Sequence, residues 1–309
     1  MTSAEPHRRR RQGDLFLSIN AALIPAVALL LGGSIWAIDV LCSFSLHAAI
    51  VALILGLERL RLGRFVPAGF WMISVALWSA SIPRLNRAPL SDGPPTLKLA
   101  VQNLLTSNRN FDQAIDAIRT EDPDVFCALE VDEGWLRALQ AGLPDLTMVI
   151  ARPRTDNFGI AIFTRDPNVQ AQVVEGLEDH PPALMATVDG IRVFAVHTVP
   201  PISRARWEQR NRLLDAIRTR ALNGDSPAIV AGDLNFSPSS PSWPALTEGL
   251  RRVQPGRIPW GTWPSRYGDA GIAIDHVLLT EGLDATAMTM LPPVGSDHRG
   301  LVVEVRKTP

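Results

Sequence analysis

Residues 229–238, with the sequence IVAGDLNFSP, decide how the rest of this 309-residue chain is interpreted. An apolar run leads into Gly232 and Asp233, and Asn235 follows just before a Phe-Ser-Pro turn. An apolar run bounded by turn residues predicts a short buried strand, and a carboxylate at its end can point into a cleft. Asp233 and Asn235 are two residues apart, so on an extended strand end both side chains face the same way. An Asx turn is the alternative interpretation of this pair.

Five further strings place a polar residue beside an apolar run, and most of these residues stand where the run ends. They are LAVQNLL with Asn103, DVFCALEVD with Glu130, VFAVHTVPP with His197, IDHVLLT with Asp275, and VGSDHRG with Asp297 and His298. One such string is weak evidence, because an Asp after a strand is usually a turn former or a helix cap. Six strings together predict a shared cleft at the ends of several strands.

The order and spelling of the six strings resemble the endonuclease/exonuclease/phosphatase superfamily, the DNase I-like metal-dependent phosphoesterases. The resemblance covers roughly residues 97–306, and GDLN and SDH are its most specific pieces. It implies a four-layer α/β/β/α sandwich, in which two packed sheets carry helices on their outer faces. It also implies an active site at one end of the sandwich that holds Mg²⁺ or Mn²⁺.

Three residues are candidate metal ligands. Phosphate-ester hydrolysis needs a cation to neutralise charge and an activated water held in line. Carboxylate and amide oxygens suit a hard cation, so Glu130 is the first predicted ligand. By resemblance, Asn103 shares the ion or orients Glu130, and Asp297 reaches the metal region. A structural turn is the alternative for Asn103.

The remaining strings supply the predicted catalytic residues. The resemblance implies that Asp233 orients or deprotonates the attacking water and that Asn235 holds the phosphoryl group or the water. It gives His298 the role of acid/base or cationic stabiliser at the scissile phosphate, and it makes His197 a phosphate-binding residue. Asp275 is the natural partner of His298, because a carboxylate on one imidazole nitrogen fixes the tautomer and raises basicity.

Other polar and aromatic residues are weaker candidates. Asn157 in NFGIAIFTR is a predicted phosphate contact, and Trp263 in GTWPS either walls the site or packs in the core. His276 should point away from Asp275, which favours a supporting role over catalysis. Residues 203–222 predict an amphipathic helix whose arginines face solvent or a phosphate-bearing ligand.

The first 90 residues differ in composition from everything after them. Apolar runs at residues 15–31, 35–57 and 66–82 have lengths of about 17 to 23 residues, which fit bilayer spans. Three spans are predicted, with two spans, a cleaved signal peptide or buried core helices as alternatives. Arginines lie before the first run and between the second and third. By the positive-inside rule both clusters are cytoplasmic, which places the rest of the chain outside.

These observations predict four segments in a multi-pass protein of the cell membrane. Residues 1–14 form a basic cytoplasmic N-terminus, and residues 15–83 form a membrane anchor of three helices. Residues 84–96, rich in proline and polar residues, form a linker. Residues 97–309 form an extracytoplasmic catalytic domain.

The sequence indicates the type of reaction more clearly than it indicates the substrate. The formal net charge is −1, so no global basic field favours nucleic acid, and two cysteines give no disulfide framework. A domain held outside a membrane by a short linker favours a lipid-linked phosphate or pyrophosphate, or a phospholipid. The layout resembles three-span members associated with glycopeptide (teicoplanin-type) resistance. A membrane-tethered nuclease and a non-catalytic tethered binding module are the alternatives, and the sequence indicates no protein partner.

Overall fold

The structure, a computed structural model, describes residues 4–80, 87–88, 90–174, 179–256 and 258–308. The chain divides into two compact units. The helical unit comprises Met1–Arg84 with Pro238–Trp243, and the sandwich unit comprises Leu85–Ser237 with Pro244–Pro309.

Four helices form the helical unit. They are α1 (Ala4–Leu31), α2 (Trp36–Cys42), α3 (Ser45–Arg61) and α4 (Phe65–Ala80). Helix α4 packs against α1 and α3, and Ala28, Cys42, Ala49 and Trp78 are buried together. Among the helices that the structure describes, Arg10–Leu31 is the one single stretch long and apolar enough to cross a membrane.

The predicted second span, residues 35–57, is not one straight helix. Helices α2 and α3 meet at a bend of 69°, and only together are they long and apolar enough to cross a membrane. The amides of Ser43 and Phe44 donate to carbonyls three residues back, and the Ser45 hydroxyl donates to the Cys42 carbonyl at 2.6 Å. These local bonds replace the four-residue ladder that would continue the helix. The third predicted span matches α4, which has 16 residues, and residues 81 and 82 lie outside the described part of the chain.

Two sheets form the sandwich unit. The first has the strand order β1-β10-β11-β9-β8-β7-β6 and the second β12-β13-β2-β3-β5-β4. The strands of the first sheet are β1 (Arg87–Ala88), β6 (Gln170–Val173), β7 (Leu184–Val188), β8 (Ile191–His197), β9 (Ala228–Asp233), β10 (Arg251–Val253) and β11 (Asp275–Leu279). Those of the second are β2 (Leu97–Asn103), β3 (Val125–Leu129), β4 (Thr147–Arg152), β5 (Ile160–Thr164), β12 (Leu283–Met290) and β13 (Leu301–Lys307).

Helices cover the outer faces of both sheets. They are α5 (Phe111–Glu121), α6 (Glu133–Gly142) and α7 (Arg204–Leu222). The short α8 (Trp243–Leu246) and a 3-10 helix at Ser265–Ala270 are further described elements. Leu99 and Val101 of β2 lie in the core between the sheets, whereas Ala100 lies in a second core with the apolar faces of α5 and α6. On the other side, α7 buries Leu213, Leu214 and Ile217 and contacts β8 and β9. The predicted four-layer α/β/β/α sandwich is confirmed.

Candidate active site

Strand pairing brings three of the predicted residues into one row. In the parallel pair of β8 and β9, His197 lies opposite Asp233, and in the antiparallel pair of β9 and β11, Asp233 lies opposite Asp275. In the second sheet, Asn103 ends β2 opposite Leu129, the residue before Glu130. Strand ends from both sheets therefore carry the polar residues, as the sequence predicts.

Glu130 is held by donors on both carboxylate oxygens. Asn103 Nδ2 donates to Oε1 at 2.9 Å, and the Thr106 amide donates to Oε2 at 3.1 Å. Glu130 also has a left-handed backbone, with φ of 57°, which a non-glycine residue adopts at a cost and which clusters at functional sites. Glu130 is only 8% exposed, and its two carboxylate oxygens are fixed by these hydrogen bonds.

Asn103 joins Glu130 to Asp233. Its Nδ2 also donates to Asp233 Oδ2 at 3.2 Å, while its Oδ1 accepts from the Leu105 amide at 3.1 Å. This arrangement suits the predicted orienting role, because the amide nitrogen faces the two carboxylates. The role of Asn103 as a metal ligand stays a prediction.

Asp233 lies between two histidines. Its Oδ2 is 3.4 Å from His197 Nε2 and 3.6 Å from His298 Nε2. The other ring nitrogen of His298 donates to Asp275 Oδ2 at 2.9 Å. The predicted pairing of Asp275 with His298 is therefore present, and His298 is placed between two carboxylates.

The charges of this cluster follow from the packing. Burial alone lowers the pKa of His298, but Asp275 and Asp233 outweigh it and raise the pKa to about 10. Burial alone raises the pKa of Asp233, but the charge of His298 and the hydrogen bond from His197 lower it to about 2. Burial raises the pKa of Asp275. At neutral pH His298 is an imidazolium beside an ionised Asp233.

The backbone of Asn235 differs from the extended strand end that its spacing from Asp233 predicts. Strand β9 ends at Asp233, and Asn235 has a left-handed backbone with φ of 45°, so the two do not lie on one extended end. The Asn235 amide donates to Asp233 Oδ1 at 2.9 Å, which is the Asx turn named as the alternative. Its side-chain Nδ2 donates to the Thr198 carbonyl at 2.8 Å. A turn, rather than strand alternation, fixes Asn235 beside Asp233.

Behind this turn lies a buried pair of cationic and neutral side chains. Arg252 Nε donates to His276 Nδ1, and His276 Nε2 is 2.7 Å from the carbonyl of Phe236. A carbonyl can only accept, so Nε2 carries a proton, and Nδ1 accepts from Arg252, so it carries none. His276 is therefore neutral. Burial and the charge of Arg252 hold the pKa of His276 well below its usual value, in agreement. His276 thus supports the turn, as its predicted role requires.

Asn157 is the predicted residue that the structure connects least to the site. It has φ of 68° and an exposed side chain. The neighbouring Phe158 ring packs on His197, with centroids 5.1 Å apart. In the described part of the chain, no hydrogen bond joins Asn157 to the other site residues, and its phosphate contact stays a prediction.

Comparison with known proteins identifies the fold and the family. The model of the Endonuclease/Exonuclease/phosphatase family matches residues 100–298, which is more than half of the chain. The chain belongs to this family. A search of curated proteins gave no match.

Solved structures of the endonuclease/exonuclease/phosphatase family and its relatives share the fold. A functionally unknown conserved protein from Enterococcus faecalis V583 is 18% identical, with a TM-score of 0.56 over 69% of this chain and 100% of its own. A family member from Beutenbergia cavernae DSM 12333 is 21% identical, with a TM-score of 0.53 over 69% and 72%. D. rerio TDP2, complexed with single strand DNA product, is 14% identical, with a TM-score of 0.53 over 68% and 99%.

Enzymes of the endonuclease/exonuclease/phosphatase family generally depend on divalent metal, and the residues of this chain fit such an ion. Trp263 Nε1 donates to Asp297 Oδ2 at 3.0 Å, whereas Asp297 Oδ1 is buried and accepts no hydrogen bond from any described residue. A buried carboxylate oxygen without a donor is costly unless a cation or water satisfies it. The fixed carboxylate of Glu130 adds the oxygen donor that a hard cation prefers.

A second group has the spacing of a ligand set but fits a metal less well. Atoms of Asp233, Asp275 and His298 lie within 4.8 Å of one another. Both ring nitrogens of His298 face carboxylates, and its pKa of about 10 keeps it protonated, whereas only a neutral imidazole ligates. We assign this group to proton and charge chemistry.

Two supporting residues were not singled out from the sequence. Thr106 donates to Glu130 from its amide, and its hydroxyl donates to the Glu130 carbonyl at 3.0 Å. Ser296 donates to the Asn103 carbonyl at 2.6 Å and accepts from the His298 amide at 3.1 Å. Ser296 belongs to the SDH motif, which could have indicated its role. Thr106 follows the end of β2 in an ordinary turn, and no local pattern distinguishes it.

Proposed function

We propose that this chain is a membrane-anchored phosphoester hydrolase dependent on Mg²⁺ or Mn²⁺. One observation supports this proposal more strongly than any other. His298 bridges Asp275 and Asp233 in the sandwich unit, and Asn103 connects the same Asp233 to Glu130. This single network joins a proton-handling group to an oxygen-rich cation site, which is what phosphoester hydrolysis needs.

Each side chain of the site has a different role in the proposed reaction. Glu130 and Asp297 would hold the divalent cation, which would supply charge neutralisation at the phosphoryl oxygens. Asp233 accepts a hydrogen bond from the attacking water and aligns it, because a carboxylate with a pKa of about 2 stays ionised at neutral pH and is too weak a base to take the proton outright. The His298 imidazolium stabilises the charge that develops on the phosphoryl oxygens. Asp275 fixes its ring, and His197 and Asn235 complete the phosphate pocket.

A soluble diester tests the hydrolase proposal. We expect the purified chain to hydrolyse bis-p-nitrophenyl phosphate with Mg²⁺ or Mn²⁺ and to lose activity in EDTA. Asp233→Asn should lose turnover, whereas Asp225→Asn, which removes an exposed charge nearby in the sequence, should not. Absence of turnover with either metal at any accessible pH would favour the non-catalytic binding module.

The proposed anchor consists of residues 15–83 in three spans, and the catalytic domain follows at residues 97–309. The predicted linker, residues 84–96, is not only a connection, because its Arg87–Ala88 form β1 and pair with β10 of the sandwich. The helices expose many large apolar side chains, such as Leu30, Ile54 and Phe65, at 82%, 60% and 72%. Such a surface is typical of helices that contact lipid rather than water. The arginines at one end of α1 and between α3 and α4 then orient the catalytic domain outside the cytoplasm.

The proposed substrate is an amphiphilic phosphoester, either a lipid-linked phosphate or pyrophosphate or a phospholipid. Three large apolar side chains are exposed in loops that also carry site residues. They are Ile202, shortly after His197, Ile258, shortly before Trp263, and Tyr267, at 70%, 61% and 57%. The 3-10 helix with Tyr267 begins at Ser265, whose amide donates to the Asp297 carbonyl. Apolar groups beside a phosphate site suit a ligand with a hydrocarbon part. The proposed relation to glycopeptide resistance rests on the layout alone.

A comparison of two substrates tests the lipid proposal. Ile202→Ser with Tyr267→Ser should reduce hydrolysis of a phospholipid presented in mixed micelles and leave hydrolysis of bis-p-nitrophenyl phosphate unchanged. Equal loss on both substrates would contradict it.

The second candidate is a nuclease. Helix α7 presents Arg204, which is 78% exposed, after the loop that follows His197. Phosphate backbones are bound through such arginines. Cleavage of single- or double-stranded DNA at rates above those for lipid phosphoesters would establish this alternative.

A further inference from the structure

The helical unit contains a cavity of about 760 Å³ between the start of α1 and the turn that joins α3 to α4. Arg10 and Arg11 line it from α1, and Arg64 lines it from the turn. Leu62 and Phe65 line the same cavity. Cationic and apolar walls therefore meet in one space, remote in sequence from every residue of the hydrolase site.

The charge in this cavity is suited to an anion. Asp14 also lines it, but its two oxygens accept from Arg59 Nε at 2.9 Å and from Arg64 Nη1 at 3.0 Å. Arg59 also pairs with Glu58, so the two guanidinium groups balance two carboxylates, and Asp14 is only 8% exposed. Arg10 and Arg11 are exposed on the same side, so a ligand that enters the cavity meets a net positive field.

The apolar wall distinguishes a lipid from a small anion. Leu62, Phe65 and Val66 are 57%, 72% and 65% exposed, and all three line the cavity. A free phosphate ion would contact the arginines and make no contact with these apolar side chains. A phospholipid places its phosphate against the arginines and its acyl chains along the apolar residues, and basic pockets between helices are known to bind such headgroups.

We propose that this cavity is a binding site for the headgroup phosphate of an anionic phospholipid. Arg10 and Arg11 contact the phosphate, the Asp14 ion pairs hold Arg64 in place, and Phe65 with Val66 covers the upper acyl chain. The site requires the helical unit to lie in a bilayer but does not require the catalytic domain to be active.

Binding of phosphatidylglycerol to the full-length protein in neutral detergent tests the site. Native mass spectrometry and the midpoint of thermal unfolding should both show saturable binding that phosphatidylcholine does not reproduce. Each arginine near a headgroup contributes about 1 kcal/mol, so Arg10→Gln with Arg11→Gln should weaken binding roughly 25-fold. Arg64 is left intact in this variant, because its loss would also expose the charge of Asp14.

A matched control removes two exposed guanidinium groups elsewhere. Arg119→Gln with Arg137→Gln, on α5 and α6 of the sandwich unit, should bind phosphatidylglycerol like the unaltered chain. Size-exclusion chromatography and the lipid-free unfolding midpoint show whether the double variant is folded, and Arg10→Lys with Arg11→Lys should restore most binding. Equal binding by the double glutamine variant, or equal stabilisation by phosphatidylcholine, would overturn the proposal. Equal stabilisation by inorganic phosphate would reduce the cavity to a simple anion site and overturn it as well.

Discussion

Glu130 combines three features that rarely coincide in one side chain: a left-handed backbone, burial, and donors on both carboxylate oxygens. A left-handed conformation costs a non-glycine residue about 1–3 kcal/mol, so the surrounding contacts must hold it there. Asn103 and Thr106 supply those contacts. The residue is therefore positioned in advance, and a cation that binds it need not pay for its ordering.

Removing the charge of Glu130 should weaken metal binding more than it weakens the fold. For Glu130→Gln we expect Mg²⁺ affinity to fall by more than the roughly 10- to 100-fold typical of residues that only support a ligand. The measurement is turnover of bis-p-nitrophenyl phosphate against Mg²⁺ concentration, with thermal unfolding as a check of folding. Glu133→Gln, an exposed neighbour on α6, is the control. Normal turnover of Glu130→Gln at low Mg²⁺ would mean that another residue holds the ion.

Asp275 and His298 should act as one unit, because their hydrogen bond of 2.9 Å fixes the ring that faces Asp233. Asp275→Asn and His298→Ala should each lower kcat by roughly 10² or more, within the 10² to 10⁴ typical of general acid–base groups. The double variant should be scarcely worse than the worse single variant. Steady-state kinetics of the three variants measures this, and fully multiplicative losses would disprove the coupling.

The ion pair of His298 and Asp233 predicts how stability depends on pH. The pKa of His298 is raised to about 10 in the folded chain from 6.5, so its contribution is complete below pH 6.5 and is lost as pH rises through about 10. The pKa of Asp233 is lowered to about 2 from 3.8, so its contribution is lost as pH falls through about 2. Thermal unfolding in EDTA should show a decline on the alkaline side that is smaller in His298→Gln. Identical alkaline profiles would contradict this assignment.

At the scale of the element, β9 shows why a glycine precedes Asp233. Gly232 has φ of 151°, and a Cβ at this position would lie 1.8 Å from the Val196 carbonyl oxygen of β8. The close approach of the two strands leaves no room for a side chain. The glycine of GDLN is thus required by strand packing, whereas the aspartate is required by the site.

Gly232→Ala should therefore disrupt the sandwich. We expect destabilisation beyond the 0.5–3 kcal/mol usual for single substitutions, since the backbone contact cannot relax without separating β8 from β9. Urea unfolding measures the effect. Gly256→Ala is the matched control, because a Cβ there meets nothing within 4 Å. A Gly232→Ala variant as stable as this control would show that the strands can separate at little cost.

Comparison of the observed strands with the sequence shows which features local patterns can predict. Apolar runs predicted the strands, and the polar residues at their ends predicted Asn103, Glu130 and His197 at the ends of strands or just after them. Asp275 begins its strand, and it meets Asp233 only because β11 runs antiparallel to β9. Strand order is a long-range property that local patterns do not contain.

At two places short-range hydrogen bonds override the periodicity of the sequence. Apolar character is continuous through residues 35–57, but the bonds around Ser43 and Ser45 end one helix and begin another. Strand alternation places Asn235 beside Asp233, but the Asx turn achieves this with a left-handed residue instead. Ser, Asn and Asp side chains compete with regular structure in this way.

For the whole molecule, the testable property is the side of the membrane that holds the sandwich unit. The proposed three spans with cytoplasmic arginines would place the C-terminus outside. Alkaline phosphatase fused after residue 309 should be active, and GFP exported by the same route should not fluoresce. The opposite pattern would place the sandwich in the cytoplasm and remove the reason for preferring an extracytoplasmic lipid substrate.

The row formed by His197, Asp233 and Asp275 is set by backbone pairing across three strands. The exposed apolar residues that we assign to substrate choice lie instead in the loops around Ile202 and Tyr267. Under the proposed function, the residues for reactivity and those for selectivity therefore lie in different stretches of the sequence. A library randomised only in those loops would keep these three residues unchanged. Variants from it should differ in substrate preference while retaining phosphoester hydrolysis.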